Sequence, residues 1–191
     1  MSQAALMVGM VALVLAGFVA GAVPFGVLIA KRRGVTIQEH GSGNIGATNV
    51  ARVLGARTGL IVLLLDASKG AVPVLLAQHY CGWPSVVALT GGAAILGHCF
   101  SPFLGGKGGK GVATAFGVFL VLDPAFAGIA VLVFVVIWRL TKVPALGSLA
   151  GIAVISGLMV ARGEGPYTAL ACLTTALLVY THRTNLAKLQ R

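Results

Sequence analysis

Long apolar runs alternate with short polar or Gly/Pro-rich stretches along the whole chain. The runs predict helices near residues 4–30, 58–80, 84–101, 111–122, 124–140, 144–161 and 166–181. A membrane-spanning helix needs about 20 apolar residues, with a range of roughly 17–25. The fourth run is shorter, and Asp123-Pro124 ends it because proline disfavours helix at the preceding residue. We therefore predict an all-α polytopic membrane bundle of about seven transmembrane helices, with five or six spans plus re-entrant pieces as the alternative.

Composition agrees with a membrane protein. The chain is 58% hydrophobic and only 9% charged, whereas soluble domains carry roughly 25% charged residues. We predict one membrane-embedded domain over residues 1–191. Its 27 glycines suit close helix packing in a bilayer. The net charge of +10 would suggest nucleic acid in a soluble protein, but here it indicates the positive-inside bias and an anionic lipid or substrate.

The basic residues predict the orientation. No basic residue precedes the first apolar run, so a retained helix with its N-terminus outside is expected rather than a signal peptide. Strict alternation of seven spans from there puts 12 of the 14 basic residues in cytoplasmic segments: Lys31, Arg32, Arg33, Arg52, Arg57, Lys107, Lys110, Arg139, Lys142, Arg183, Lys188 and Arg191. The C-terminus and all three polar stretches (38–57, 101–114 and 182–191) then face the cytoplasm.

The first polar stretch offers many hydrogen-bonding side chains between glycines. It contains Ser42, Asn44, Asn49 and Arg52. Hydroxyl and amide groups can orient a polar substrate, and an arginine can bind a phosphate bidentately. An ordinary solvated loop built from turn residues is the alternative.

The second polar stretch reads SPFLGGKGGKG over residues 101–111. It is not a Walker A loop, because Lys110 is followed by Gly111 and Leu104 occupies the position of the first glycine. Glycine-rich turns before a helix can still form an anion-binding nest of N–H groups, and two lysines add charge. We therefore predict phosphate binding by Gly105, Gly106, Lys107, Gly108, Gly109 and Lys110. A basic cytoplasmic loop that only follows the positive-inside rule is the alternative.

The third polar stretch places His182 and Asn185 three residues apart, on one face if the segment is helical. His182 is a candidate general base, proton donor or phosphate partner. A basic tail at the lipid headgroups is the other interpretation.

Three polar residues fall within predicted spans. Asp66 and Lys69 can pair on one helix face, either as a functional pair or as a structural one. His98, just before the second stretch, is predicted to line the same cavity, an interfacial histidine being the alternative. The cysteines and histidines show no metal-binding spacing, and no Gly-x-Ser-x-Gly elbow occurs. No metal or cofactor is predicted.

A basic, donor-rich pocket within membrane helices suits a small phosphorylated solute that meets an apolar partner. Carriers tend to place such sites near the midplane, with internal repeats. Here the polar stretches all lie at one predicted face, which favours an enzyme over a transporter of an organic phosphate. A lipid phosphatase or phosphotransferase is a further alternative.

Four segments resemble a known family. SGNIGATN at 42–49 with Arg52, GHCFSPFLGGKGGKGVAT at 97–114 and HRTNLAKL at 182–189 are similar to the three cytoplasmic motifs of the acyl-phosphate-dependent glycerol-3-phosphate acyltransferases, the PlsY family of bacteria. The Asp66-x-x-Lys69-Gly70 element also resembles a recurrent feature of that family. Thr184 replaces a usual acidic residue of the third motif, which puts a stabilising acidic contact in doubt. Gly105-Gly106 stands before Lys107, where the family more usually has Phe.

The resemblance implies transfer of a fatty acyl group from acyl phosphate, not acyl-CoA, to the 1-hydroxyl of glycerol 3-phosphate. Lysophosphatidate and phosphate would form at the cytoplasmic face of a bacterial inner membrane, with membrane lipid as the surroundings and no nucleic acid partner. The oligomeric state stays open, a monomer included.

Roles follow from this implied reaction. Ser42, Asn44, His182 and Asn185 are the predicted catalytic residues. Asn49, Arg52, His98 and the residues 105–110 are the predicted substrate-binding and phosphate-binding residues. The base is either His182 or a phosphate oxygen of a substrate.

Overall fold

A computed structural model describes residues 2–163 and 165–187. Within these ranges all regular structure is helical, as predicted. The α-helices, in chain order, are α1 Gln3–Ala22, α2 Phe25–Lys31, α3 Ala47–Leu54, α4 Ala56–Tyr80, α5 Pro84–Cys99, α6 Val112–Leu122, α7 Pro124–Thr141, α8 Pro144–Arg162, α9 Gly165–Thr181 and α10 Arg183–Ala187. Two short 3-10 helices lie at Ile37–Glu39 and Pro102–Leu104.

Five segments of the described ranges are long and apolar enough to cross a membrane: Gln3–Lys31, Ala56–Tyr80, Pro84–Leu104, Pro124–Thr141 and Pro144–Arg162. The 11-residue α6 is apolar but shorter than a span. Many large apolar side chains on these helices are exposed; Leu132 is 67% and Leu140 76% exposed. So many exposed apolar side chains suit lipid rather than water. The protein is therefore a multi-pass membrane protein, whereas the count of seven spans stays a prediction.

The first predicted helix, 4–30, is wrong in one respect: it is broken. Pro24 has no N–H and its ring would clash with the preceding turn, so α1 ends at Ala22 and α2 begins at Phe25. The short helix α3 inside the first polar stretch was not predicted. Its apolar side, including the fully buried Val50, packs into a cluster with Ala30, Ile37, Ile45 and Val62.

The chain forms two compact units, Met1–Val118 and Phe119–Arg191. In the first unit, α1 packs against α5 and α4, and α3 packs against α4. Small residues permit this: a Cβ on Gly21 would strike the Ala94 carbonyl, and one on Gly97 would strike the Phe18 carbonyl. The backbones of α1 and α5 can therefore touch directly.

In the second unit, α8 packs against both α7 and α9. Asp123 caps the start of α7 by accepting the Phe126 N–H at 2.8 Å, and it also forms an ion pair with Arg162. The guanidinium of Arg162 lies 4.2 Å from the centre of the Phe126 ring. A hydroxyl pair, Ser156 and Thr175 at 2.7 Å, joins α8 to α9.

Candidate active site

The asparagine loop, residues 40–46, is folded around one buried amide. Asn49 is 2% exposed, and its Oδ1 accepts the Ser42 N–H at 2.8 Å. Its Nδ2 donates to the carbonyl oxygens of His40 and Asn44, each at 2.9 Å. Gly41 has φ 62°, and a Cβ there would strike Asn49 Oδ1. Asn49, predicted to bind substrate, thus holds the loop together in this structure.

Two other predicted site residues of this region present their side chains outward. Ser42 and Arg52 are exposed, and both are tied to the same amide, since Arg52 Nη1 lies 3.4 Å from Asn49 Oδ1. Asn44 is partly buried, and its Oδ1 accepts the Gly46 N–H at 2.8 Å. The loop offers an exposed hydroxyl and the following helix α3 an exposed guanidinium, which are suitable groups for a phosphate or an alcohol.

The lysine loop, residues 101–111, uses its N–H groups internally. Five of them donate to backbone carbonyls at 2.9 to 3.2 Å: Gly105 to Pro102, Gly106 to Ser101, Lys107 to Leu104, Gly108 to Cys99 and Gly109 to His98. In this conformation these N–H groups are therefore already paired with backbone carbonyls, and phosphate binding by the loop glycines stays a prediction. The donors close the loop on itself, and the glycines supply positive φ at Gly105, Gly106 and Gly111.

The charged side chains of the lysine loop remain candidates for phosphate binding. Lys107 is exposed and Lys110 is partly buried. α6 begins directly after Gly111, and the start of a helix favours an anion. Leu104, in the middle of the loop, packs against the apolar cluster that includes Ile37, Ile45 and Val50. The asparagine and lysine loops therefore rest on one shared core.

His98 lies beneath the lysine loop rather than in an open cavity. It is 3% exposed, and its Nε2 lies so close to Gly109 that a Cβ there would overlap the imidazole. Its Nδ1 is 3.8 Å from Asp66 Oδ1 and has no hydrogen-bond partner among the described residues. The imidazole therefore supports the loop from below, and its predicted direct contact with substrate stays a prediction.

Asp66 and Lys69 form the buried ion pair that their spacing permits, with Nζ and Oδ1 3.0 Å apart. Lys69 also donates to the Val23 carbonyl at 2.7 Å, at the break between α1 and α2. Next to it, the hydroxyl of Ser101 donates to the Ala22 carbonyl at 2.6 Å. Ser101 was not predicted as a site residue, although its position before Pro102 marks the start of the loop.

His182 and Asn185 belong to the second unit. His182 is 2% exposed, and its Nδ1 lies 2.8 Å from the Leu178 carbonyl oxygen. A carbonyl only accepts, so Nδ1 carries the hydrogen, and Nε2 of the neutral ring is then an acceptor. A general base needs such an acceptor nitrogen, and the role of His182 as base stays a prediction. Asn185 follows one turn later in α10, its N–H donating to the His182 carbonyl at 2.8 Å. That His182 and Asn185 act in one site with the asparagine and lysine loops stays a prediction.

An apolar groove of about 360 Å³ runs along α1, α2 and α4 in the first unit. It is lined by Leu13, Ala16, Ala20, Val23, Phe25, Ser68, Lys69, Val72, Pro73 and Leu76. Apart from Ser68 and Lys69 these side chains are apolar, so the groove suits a hydrocarbon chain. Lys69 links it, through Asp66 and His98, to the underside of the lysine loop.

The sequence model of the family described as "Glycerol-3-phosphate acyltransferase" matches residues 11–191, nearly the whole chain. The chain belongs to this family. The glycerol-3-phosphate acyltransferase of Myxococcus xanthus is 50% identical over 184 residues, which cover 94% of this chain and 95% of the relative. That of Aquifex aeolicus is 41% identical, with 93% of each chain covered. These similarities confirm the resemblance seen in the three motifs.

Solved structures agree with the family assignment. A crystal structure of PlsY (YgiH), an integral membrane glycerol 3-phosphate acyltransferase, in its glycerol 3-phosphate form aligns with a TM-score of 0.92 and 38% identity. The alignment covers 95% of this glycerol-3-phosphate acyltransferase chain and 92% of the other. The lysophosphatidic acid form of PlsY aligns with a TM-score of 0.90 and the same identity. The protein is therefore a membrane acyltransferase of phospholipid synthesis.

Proposed function

We propose that this acyltransferase moves a fatty acyl group from acyl phosphate to the 1-hydroxyl of glycerol 3-phosphate. The products are 1-acylglycerol 3-phosphate (lysophosphatidate) and inorganic phosphate. The observation that carries the proposal is the shared core of the two loops, because Leu104 packs on the cluster beneath the asparagine loop. Arg52, Ser42 and the loop lysines can thereby serve one phosphate-rich site. The PlsY relatives bound to glycerol 3-phosphate and to lysophosphatidic acid support it.

In the proposed reaction the glycerol 1-hydroxyl oxygen attacks the acyl carbonyl carbon, and the bond from that carbon to the phosphate oxygen breaks. The hydroxyl proton passes to His182 or to a phosphate oxygen of a substrate. Arg52, Lys107 and Lys110 neutralise the phosphates, while Ser42, Asn44 and Asn185 orient the hydroxyl and the carbonyl. Acyl phosphate is already activated, so positioning and charge neutralisation supply most of the rate enhancement.

We further propose that the chain, residues 1–191, acts as one domain of seven spans in a bacterial inner membrane. The positive-inside bias supports an external N-terminus and a cytoplasmic active site. Single cysteines introduced at Gln38 and at Gly82, in a protein lacking Cys81, Cys99 and Cys172, test the topology. A membrane-impermeant thiol reagent applied outside intact cells should label position 82 but not position 38. The reverse pattern would overturn the orientation.

Purified protein in lipid vesicles, given labelled glycerol 3-phosphate and an acyl phosphate, tests the reaction. Labelled lysophosphatidate is expected, and acyl-CoA in place of acyl phosphate should give none. Phosphate release from lipid without an acylated product would indicate a phosphatase. Uptake of label into sealed vesicles without a product would indicate a transporter.

We propose that the apolar groove holds the distal part of the donor's acyl chain. Replacing Ala16 by Phe fills the groove and should shift the preference toward shorter acyl phosphates. Ala12→Phe makes the same change one turn earlier, at an exposed residue outside the lining. Initial rates with donors of increasing length separate the two variants. An unchanged chain-length profile in Ala16→Phe would exclude the groove as the acyl site without touching the assignment of the reaction.

A further inference from the structure

The lysine loop is anchored at both ends to the break between α1 and α2. At its start, Ser101 is 1% exposed, and its hydroxyl donates to the Ala22 carbonyl. Toward its end, Gly109 rests on the imidazole of His98, which neighbours Asp66. Asp66 in turn holds Lys69, which donates to the Val23 carbonyl. Both anchors therefore reach adjacent carbonyls of the same broken turn.

These contacts supply hydrogen-bond donors to carbonyl groups at the break between α1 and α2. A helix end leaves carbonyl groups without intrahelical donors, and such groups are costly to bury inside a membrane protein. The hydroxyl of Ser101 donates to the Ala22 carbonyl at 2.6 Å. The ammonium of Lys69 donates at 2.7 Å to the Val23 carbonyl, which also accepts the Phe25 N–H at 3.1 Å. Any side chain that donates a hydrogen bond to these carbonyls would stabilise the break equally. The distinguishing feature is that Ser101 also carries the loop.

Ser101 is joined to the loop through its own backbone. Its carbonyl accepts the N–H groups of Leu104 at 3.0 Å and Gly106 at 2.9 Å, which close the first turns before Lys107. A displacement of Ser101 therefore displaces the segment that carries the exposed lysine. A loss of either anchor should alter where Lys107 and Lys110 stand, and the loss of Ser101 does so without removing any group of the proposed phosphate site or acyl groove.

We propose that Ser101 and Lys69 are positioning residues that set the lysine loop against the α1–α2 break for phosphate binding. The proposal rests on the proposed function, since it assigns the loop lysines to substrate phosphate. Asp66 orients Lys69 and, beside His98, connects Lys69 to the end of the loop at Gly109. The break is then part of the binding machinery.

Ser101→Ala tests the proposal, with Thr90→Val as its matched control. Thr90 lies in α5, is fully buried, and its hydroxyl donates to the Val86 carbonyl at 2.8 Å, away from the loop. Ser101→Ala should raise the Michaelis constant for a phosphate substrate about fivefold, which corresponds to one lost hydrogen bond, with kcat nearly unchanged. Ser101→Thr should restore it. Thr90→Val should leave both constants unchanged.

Hydrogen exchange provides a readout that needs no catalysis. In substrate-free Ser101→Ala, amides in residues 106–109 should exchange faster than in the wild type, whereas Thr90→Val should not change them. Wild-type exchange and wild-type Michaelis constants in Ser101→Ala would overturn the proposal. If the wild-type protein formed no lysophosphatidate, the proposed function would fail, and exchange would still decide the anchoring.

A double-mutant cycle tests whether the two anchors act together. The paired change Asp66→Asn with Lys69→Met removes the second anchor without leaving a lone buried charge. The variant that combines all three substitutions should show a smaller fold-loss of kcat/KM than the product of the fold-losses of Ser101→Ala and of the paired variant, because both changes act through one broken turn. Independent effects would refute the coupling. If the paired variant does not fold, the kinetics and hydrogen exchange of Ser101→Ala alone decide whether the loop is anchored through this residue.

Discussion

Asn49→Ala should disable the site although its amide faces the protein rather than solvent. The substitution removes three hydrogen bonds that close the asparagine loop: one accepted from Ser42 at 2.8 Å and two donated to His40 and Asn44 at 2.9 Å. At about 1 kcal/mol net for each bond, the ordered loop loses about 3 kcal/mol. That is more than a hundredfold in the equilibrium between the ordered and open loop. We expect kcat/KM to fall by about that factor.

The assay combines initial rates with hydrogen exchange of the substrate-free protein. In Asn49→Ala, amides of residues 40–46 should exchange faster, because their order depends on Asn49 and not on a ligand. Gln78→Ala is the control, since it removes an exposed amide at the far end of α4 and should change neither quantity. Wild-type exchange in Asn49→Ala together with a raised Michaelis constant would refute this reasoning. Asn49 would then act on the substrate directly.

Three further outcomes are expected. Gly109→Ala forces a Cβ onto the His98 imidazole, and overpacking of about 1–3 kcal/mol should lower kcat/KM about 5- to 150-fold in steady-state kinetics. Gly128→Ala, whose Cβ meets nothing within 4 Å, should leave turnover unchanged. Asp123→Ala removes the α7 cap and its ion pair and should lower the free energy of unfolding in detergent by about 1–2 kcal/mol. A smaller loss is expected for Asp123→Asn, which keeps the cap acceptor but not the charge, and no loss at all in that variant would count against the ion pair. His182→Gln should lower kcat and flatten one limb of the pH–rate profile, and wild-type turnover with wild-type pH dependence would exclude both a base and an orienting role.

Several local features of this protein could be predicted from sequence because each depends on neighbouring residues. The length of the apolar runs and the prolines at 84, 124 and 144 place the starts of α5, α7 and α8 to within a residue. The i, i+3 spacing of Asp66 and Lys69 predicts their ion pair. The break at Pro24 was open to the same reasoning and was missed, because the apolar run around it continues without a polar residue.

Side-chain roles in the loops were harder to predict, because residue type does not say which partner a group will choose. Glycines and lysines in one loop are compatible with an anion nest. Here, however, the N–H groups of residues 105–109 bond to the loop and to the end of α5. Asn49 has the chemistry of a substrate-binding residue, yet its side-chain amide forms hydrogen bonds with the backbone of the neighbouring turn.

An all-helical membrane protein with three polar motifs, and its family, could be inferred from the chain alone, since run length, residue type and motif order are properties of the chain. What supports the lysine loop depends instead on the packing of distant segments. The hydrogen bond from Ser101 to Ala22 joins residues 79 positions apart, and that from Lys69 to Val23 joins residues 46 positions apart. No local pattern encodes such pairs. They form because glycine-lined helices bring α1 against α4 and α5, and because the broken helix leaves carbonyls that must find donors.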